Sequence, residues 1–158
     1  MSTKTTSEIL IHSVMQRTPI KVYDSDTIID AVDRMREHHI SALPVIDEGG
    51  YLQGILTVND LLRLVQDAGS KVMDDFPLYE DCYWVTELIR ETLGTNEVTS
   101  AMTAAPVEAS LDDTLKDVSK LMVEHQVHHV PVVGTDHKLL GIITTIDMVR
   151  LIADGVLD

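Results

Sequence analysis

Two short stretches carry the residues best suited to chemistry. Gly54-Ile55-Leu56-Thr57-Val58-Asn59-Asp60 is echoed 87 positions later by Gly141-Ile142-Ile143-Thr144-Thr145-Ile146-Asp147. Each copy has a glycine, two apolar residues, a threonine and, three positions on, an aspartate. Leu52–Thr57 is β-branched and aliphatic, which predicts a strand, and Val58–Val65 has helical spacing with Asp60 in its first turn. A threonine closing a strand and an aspartate opening a helix sit side by side at one rim. A carboxylate there can accept two hydrogen bonds from neighbouring hydroxyls, the geometry a ribose diol offers. The hydroxyl and the helix N-terminal amides can serve an anionic group. The competing explanation is helix capping alone. A second copy of the pattern favours a ligand.

The histidines are the next candidates. His125 and His129 are four apart, a spacing that holds a metal when both lie on one helix. The chain is passing from helix to strand there, however, and no carboxylate or cysteine completes a set, so no metal site is expected. His38 and His125 fall at helix C-termini, where a cation complements the helix dipole. Cys82 has no histidine near it in sequence, and neither a glycine-rich phosphate loop nor a Gly-x-Ser-x-Gly elbow occurs. Asp60 and Asp147 are two copies of one binding role rather than an acid/base pair. The chain is therefore expected not to be an enzyme.

The elements that must position these residues follow from periodicity. Ser7 predicts an N-cap for a short helix reaching Met15, Pro19 stops it, and Ile20–Val22 predicts a brief strand. Asp24, Ser25 and Asp26 offer caps for a helix whose apolar residues Ile28, Ala31, Val32 and Met35 share one face. Leu43–Ile46 predicts a strand with its proline near the beginning. Asp47–Gly50 predicts a turn whose glycines can take positive φ, and Tyr51–Thr57 returns as the next strand. The order is βαββα. A shift of 87 then aligns residues 13–65 with 100–152 without a gap, with 18 identities that include Met15/Met102, Pro19/Pro106, Thr27/Thr114, Asp30/Asp117, Pro44/Pro131, Gly54/Gly141 and Arg63/Arg150. The chain is a tandem duplication, which predicts a pseudo-twofold pair of mixed α/β (α+β) repeats over residues 7–66 and 97–154.

The 158 residues suffice for one domain or two small lobes. Hydrophobic residues make up 44%, with six aromatics, so the core is mainly aliphatic. A formal charge of −14 argues against nucleic acid or an anionic membrane surface as partner, and requires any phosphate ligand to find its cations locally. A single cysteine fits a reducing, cytoplasmic setting. No apolar run approaches the ~20 residues of a membrane span. Between the repeats, residues 67–96 read as an ordered insertion rather than a linker. Phe76, Tyr79, Tyr83 and Trp84 cluster there, and Val85, Leu88, Ile89 and Leu93 follow at helical spacing, ended by Gly94. It is expected to pack on its own module or across a homodimer. The sharper alternative is that residues 72–93 dock a regulated partner.

The βαββα order, the Leu-Pro-Val and Val-Pro-Val strands and the Gly-apolar-apolar-Thr-x-x-Asp endings together resemble cystathionine-β-synthase (CBS) domains, and two in tandem resemble a Bateman module. The resemblance implies a regulatory module that binds AMP, ADP or ATP (with or without Mg²⁺), or S-adenosylmethionine, between the repeats. It implies that Asp60 and Asp147 hold ribose, with Thr57 and Thr144 near ribose or the α-phosphate. Ile55, Ile142, Ile20 and Val107 would flank the base. One cleft would combine Ile55, Thr57 and Asp60 with Val127, His128 and His129. The other would combine Ile142, Thr144 and Asp147 with Ile40, Ser41 and Ala42. His129 stands where nucleotide-binding relatives often carry an arginine, so phosphate affinity there is expected to rise as pH falls or to depend on Mg²⁺. The resemblance also implies a homodimer. The rival reading is a scaffold that keeps the fold and binds nothing.

Overall fold

The duplication read from the sequence appears as two four-stranded sheets, each completed by a strand from the other repeat. The computed structural model describes residues 5–67, 89–91 and 93–157. In chain order its elements are β1 (Gln16–Arg17), β2 (Val22–Tyr23), α1 (Ile28–His38), β3 (Ala42–Ile46), β4 (Leu52–Thr57), α2 (Val58–Asp67), β5 (Thr103–Ala104), β6 (Ala109–Ser110), α3 (Leu115–His125), β7 (His129–Val133), β8 (Leu139–Thr144) and α4 (Thr145–Ala153). One sheet has the order β2-β3-β4-β5 and the other β1-β8-β7-β6. Within them β2 runs parallel to β3 and β6 to β7, while β5 is antiparallel to β4 and β1 to β8.

The compact units follow this exchange. Unit 1 comprises Met1–Pro19, Gly49–Leu52 and Ala105–Asp158, and unit 2 comprises Ile20–Glu48 and Gln53–Ala104. The repeat as a sequence unit and the compact unit in space are therefore offset by the segment that leads into each repeat. Each crossing is marked by a left-handed residue before a proline, Thr18 (φ 53°) before Pro19 and Ala105 (φ 48°) before Pro106. Pre-proline residues favour extended backbone, so both positions hold strain that the flanking strand pairing must overcome.

The glycine repeated in both copies has its reason here. A β-carbon on Gly54 would lie 2.7 Å from both the Met102 sulfur and the Thr103 carbonyl, and one on Gly141 would lie 2.7 Å from the Met15 sulfur and the Gln16 carbonyl. The exchanged strands run so close to β4 and β8 that only glycine fits. The strand prolines are also accommodated. The parallel neighbour of β3 starts at Val45 and that of β7 at Val132, so Pro44 and Pro131 meet no partner on that side.

All four helices that begin a βα step use one device. Thr27, Thr57, Thr114 and Thr144 each accept from the amide three residues on, and the aspartate there accepts back from the threonine amide and hydroxyl. The cap of α1 is therefore Thr27, not Asp24, Ser25 or Asp26; Asp26 instead accepts from the Tyr23 amide at 2.9 Å. The Thr27 hydroxyl and amide hold the Asp30 carboxyl below the usual carboxylate range.

The helix expected from Ser7 to Met15 is also corrected. Only Ile11–Ser13 is helical, as a single 3-10 turn, because Leu10 is drawn into an extended bridge with Thr114. The turn expected at Asp47–Gly50 is present with Gly50 at φ 86°, and His137 takes the equivalent place at φ 65°.

Each unit has its own aliphatic core. Unit 2 buries Val22, Ile28, Leu43, Val45, Leu56 and Leu61, and unit 1 buries Ile11, Leu115, Val118, Val130, Val132 and Ile143. Of the expected insertion helix, residues 89–91 and 93 are helical, with Ile89 and Leu93 buried in the unit 2 core and Arg90 paired to Asp33 at 2.7 Å. A side chain on Gly94 would collide with the Arg90 carbonyl and with Ile29. The aromatic cluster of Phe76, Tyr79, Tyr83 and Trp84 lies outside the described residues.

Candidate functional site

The strand-to-helix junction of each unit presents the aspartate singled out by the sequence. Asp60 and Asp147 are the two buried polar residues among those described, 5% and 6% exposed. Asp30 and Asp117 make the same capping box on the surface, so the Thr–Asp spacing is not what distinguishes the candidate sites. Burial and additional partners distinguish them. In unit 2, Asp60 Oδ2 accepts from the Thr57 amide (2.8 Å) and hydroxyl (2.7 Å), while Oδ1 accepts from Arg63 Nη2 (3.3 Å) and Thr103 Oγ1 (3.4 Å). In unit 1, Asp147 Oδ2 accepts from the Thr144 amide (2.9 Å) and hydroxyl (2.8 Å). Arg150 Nη1 reaches its Oδ1 at 3.4 Å, and Gln16 Nε2 lies 3.0 Å from Oδ1 and 3.1 Å from Oδ2.

Three kinds of partner were not assigned to the site from sequence. Arg63 and Arg150 bring a cation to each aspartate, and their recurrence at the 87-residue shift was the available signal. Gln16 and Thr103 are equivalent positions of the repeat, but they arrive through β1 and β5, two-residue strands that carry no periodicity of their own.

The remaining candidates divide between the units. In unit 2 the Ser41 carbonyl accepts from the Val58 amide, and in unit 1 the His128 carbonyl accepts from the Thr145 amide, both at 3.0 Å. Each unit thus joins its own pre-strand segment to its own Thr–Asp junction: Ile40–Ala42 with Thr57–Asp60, and Val127–His129 with Thr144–Asp147. Ile40 and Val127 are half-buried against their cores, Ser41 and His128 are exposed, and Ala42 is buried. Ile55 and Ile142 are buried on the sheet face opposite the core residues Leu56 and Ile143, as strand alternation requires. Ile20 is exposed and Val107 half-buried.

His129 stands opposite Thr144 in the β7–β8 ladder. Burial pushes its imidazole below the ordinary value, the neighbouring His128 adds to this, and the Asp147 charge acts the other way. That direction favours the neutral ring. His125 ends α3 and His129 opens β7, so the pair does not share a helix. Among the described residues no three metal-ligating side chains come together.

A lowered folded-state value means that the unfolded chain binds the proton more readily. The contribution of His129 to stability is full above about pH 6.5, its unperturbed value, and falls as pH drops toward the lowered folded value. Thermal midpoints between pH 5 and 8 should therefore decline on acidification more steeply for the wild type than for His129→Gln. Parallel curves would show that the ring titrates as it does in solvent.

The family model for the CBS domain matches residues 11–67 and 97–154. The chain belongs to the CBS domain family. Its two CBS repeats match an uncharacterized protein of Methanocaldococcus jannaschii at 27% identity over 153 residues, 90% of this chain and 91% of that one. They match CBSX1, a chloroplastic CBS domain-containing protein of Arabidopsis thaliana, at 34% over 135 residues. That alignment takes in 82% of this chain but 57% of CBSX1, so the CBS pair spans little more than half of that relative. Among solved structures, CBSX2 in complex with AMP is similar with a TM-score of 0.71 at 27% identity, covering 92% of this chain and 97% of that one. Among the described residues, no helix of the CBS pair is long and apolar enough to cross a membrane.

Proposed function

We propose that this CBS pair is a cytoplasmic, non-catalytic sensor that binds an adenine nucleotide and passes its occupancy to a partner. The observation that carries the reading is a buried carboxylate at each strand-to-helix junction, beside a threonine hydroxyl and an arginine. In unit 2 one oxygen of that carboxylate is held only by contacts of 3.3 and 3.4 Å, which leaves it capacity for a ribose diol. The likeness to a CBS pair whose structure contains AMP supports an adenosyl ligand.

In this reading Asp60 and Asp147 hold the ribose, with Ile55, Ile142, Ile20 and Val107 flanking the base. A ligand favours the arrangement it binds, so occupancy becomes a population shift. A homodimer is the proposed assembly. Its support is the apolar stripe of Ile146, Val149 and Ile152 on α4, each more than half exposed at 58%, 55% and 59%. A protein partner docking on residues 72–93 belongs to the same reading.

Two other readings have an observation behind them. The charge of −14 favours a cationic adenosyl ligand such as S-adenosylmethionine over an unaccompanied phosphate. The capping bonds of Asp60 and Asp147 account for both carboxylates without a ligand, which favours a scaffold that binds nothing.

Thermal unfolding against AMP, ADP, ATP with and without Mg²⁺, S-adenosylmethionine and adenosine separates the three. A dose-dependent rise with a nucleotide supports the sensor, and a rise with S-adenosylmethionine alone reassigns the ligand. A flat panel on nucleotide-free protein leaves the scaffold.

A further inference from the structure

The two aspartates are equivalent in sequence but not in occupancy, and the difference traces to one pair of repeat-equivalent residues. Gln16 and Thr103 are 87 positions apart and enter their sheets in the same register, Gln16 opposite Ile142 and Thr103 opposite Ile55. Thr103 touches Asp60 only at Oδ1, at 3.4 Å. The longer Gln16 places its amide nitrogen 3.0 and 3.1 Å from the two oxygens of Asp147. A carboxylate only accepts, so the amide presents its N–H groups there. A nitrogen nearly equidistant from both oxygens stands on the approach that two adjacent hydroxyls of a sugar would take. With Thr144 and Arg150 also engaged, both oxygens of Asp147 carry a short contact, whereas Asp60 Oδ1 is held only at 3.3 and 3.4 Å.

We propose that Gln16 is an internal competitor for Asp147, a side chain occupying the place of the ligand's diol. The inference rests on the nucleotide-binding reading above and adds an order to it. The Asp60 site fills first, and the Asp147 site fills only when Gln16 is displaced. The residue that sets this order comes from the leading segment of the other repeat.

The repeat itself supplies the test, because each substitution installs the residue already tolerated at the equivalent place. Calorimetric titration of AMP would be run on the wild type, Gln16→Thr, Thr103→Gln and the double exchange, with melting curves to establish that each is folded. The wild type should show one stronger and one weaker site per chain, separated by about tenfold, the scale of one hydrogen bond to a charged group. Gln16→Thr should strengthen the weaker site about tenfold, Thr103→Gln should weaken the stronger one by a similar factor, and the double exchange should reverse their order. A ligand-free reading accompanies these: the Gln16 side-chain amide resonances should move when Asp147→Asn is introduced. Two equal sites in the wild type, an unchanged affinity in Thr103→Gln, or unmoved amide resonances would overturn the inference and leave the nucleotide reading intact. No AMP uptake by any of the four proteins would remove both.

Discussion

A protein carrying Asp60→Ala and Asp147→Ala together should lose its thermal response to AMP altogether. At a hundred times its dissociation constant a ligand contributes about 2.7 kcal/mol to the state it binds. In a chain of this size that is an upward shift of about 5–10 °C for the wild type. Alanine at either position removes the carboxylate that completes a capping box and, in the proposed function, holds the diol. The unliganded midpoint should therefore fall as well, by the order of 1 kcal/mol per helix typical of a lost cap. The diagnostic quantity is the difference with and without AMP, not the midpoint itself. Asp60→Asn refines the result, since its amide oxygen can still accept from Thr57 while its acceptor capacity toward a diol is reduced. A response that survives the double substitution would place the ligand away from these junctions.

Gly54→Ala is expected to damage both stability and binding. The new methyl group would sit 2.7 Å from the Met102 sulfur and the Thr103 carbonyl oxygen. The sulfur is the end of a flexible side chain and can move. The carbonyl belongs to β5, which is paired to β4 at Gly54 and Ile55, so it can move only by opening that pairing. Overpacking of this kind costs about 1–3 kcal/mol, and denaturant unfolding should show it as a lower midpoint at an unchanged slope. Displacement of β5 also withdraws Thr103 from Asp60, so the AMP affinity of the stronger site should change with stability. A fully stable Gly54→Ala protein would show that β5 is not held against β4 as described.

Much of the arrangement was legible in the sequence because it is written twice. The shift of 87 gave the repeat, and within it the β-branched and aliphatic run Leu52–Thr57 and the spacing of Ile28, Ala31 and Met35 gave elements that are present. The capping of α1 was misplaced because Asp24, Ser25, Asp26 and Thr27 are four good caps in a row. Only the reciprocal partner Asp30 selects Thr27. The expected first helix failed because a long-range bridge at Leu10 outweighs a short stretch of local helical preference. The exchange of β1 and β5 was not legible at all: strands of two residues have no period, and Gln16 pairs with Ile142 from the far end of the chain. That is also why Gln16 and Thr103 were missed at the site. The Thr–Asp motif was read correctly as two structural copies, but among the described residues its spacing occurs at four helices, and burial with additional partners separates the two candidate sites from the two surface caps.

The exchanged leaders also set an order of events during synthesis. Every strand of the β2-β3-β4-β5 sheet has been made once Ala104 is added, so that sheet needs nothing from the chain that follows it. The other sheet joins Gln16 and Arg17 to Leu139–Thr144, a segment made more than a hundred residues later. Gln16 and Arg17 must therefore wait for their partner strand until β8 has been made, and their docking onto it is a closing step rather than a nucleating one.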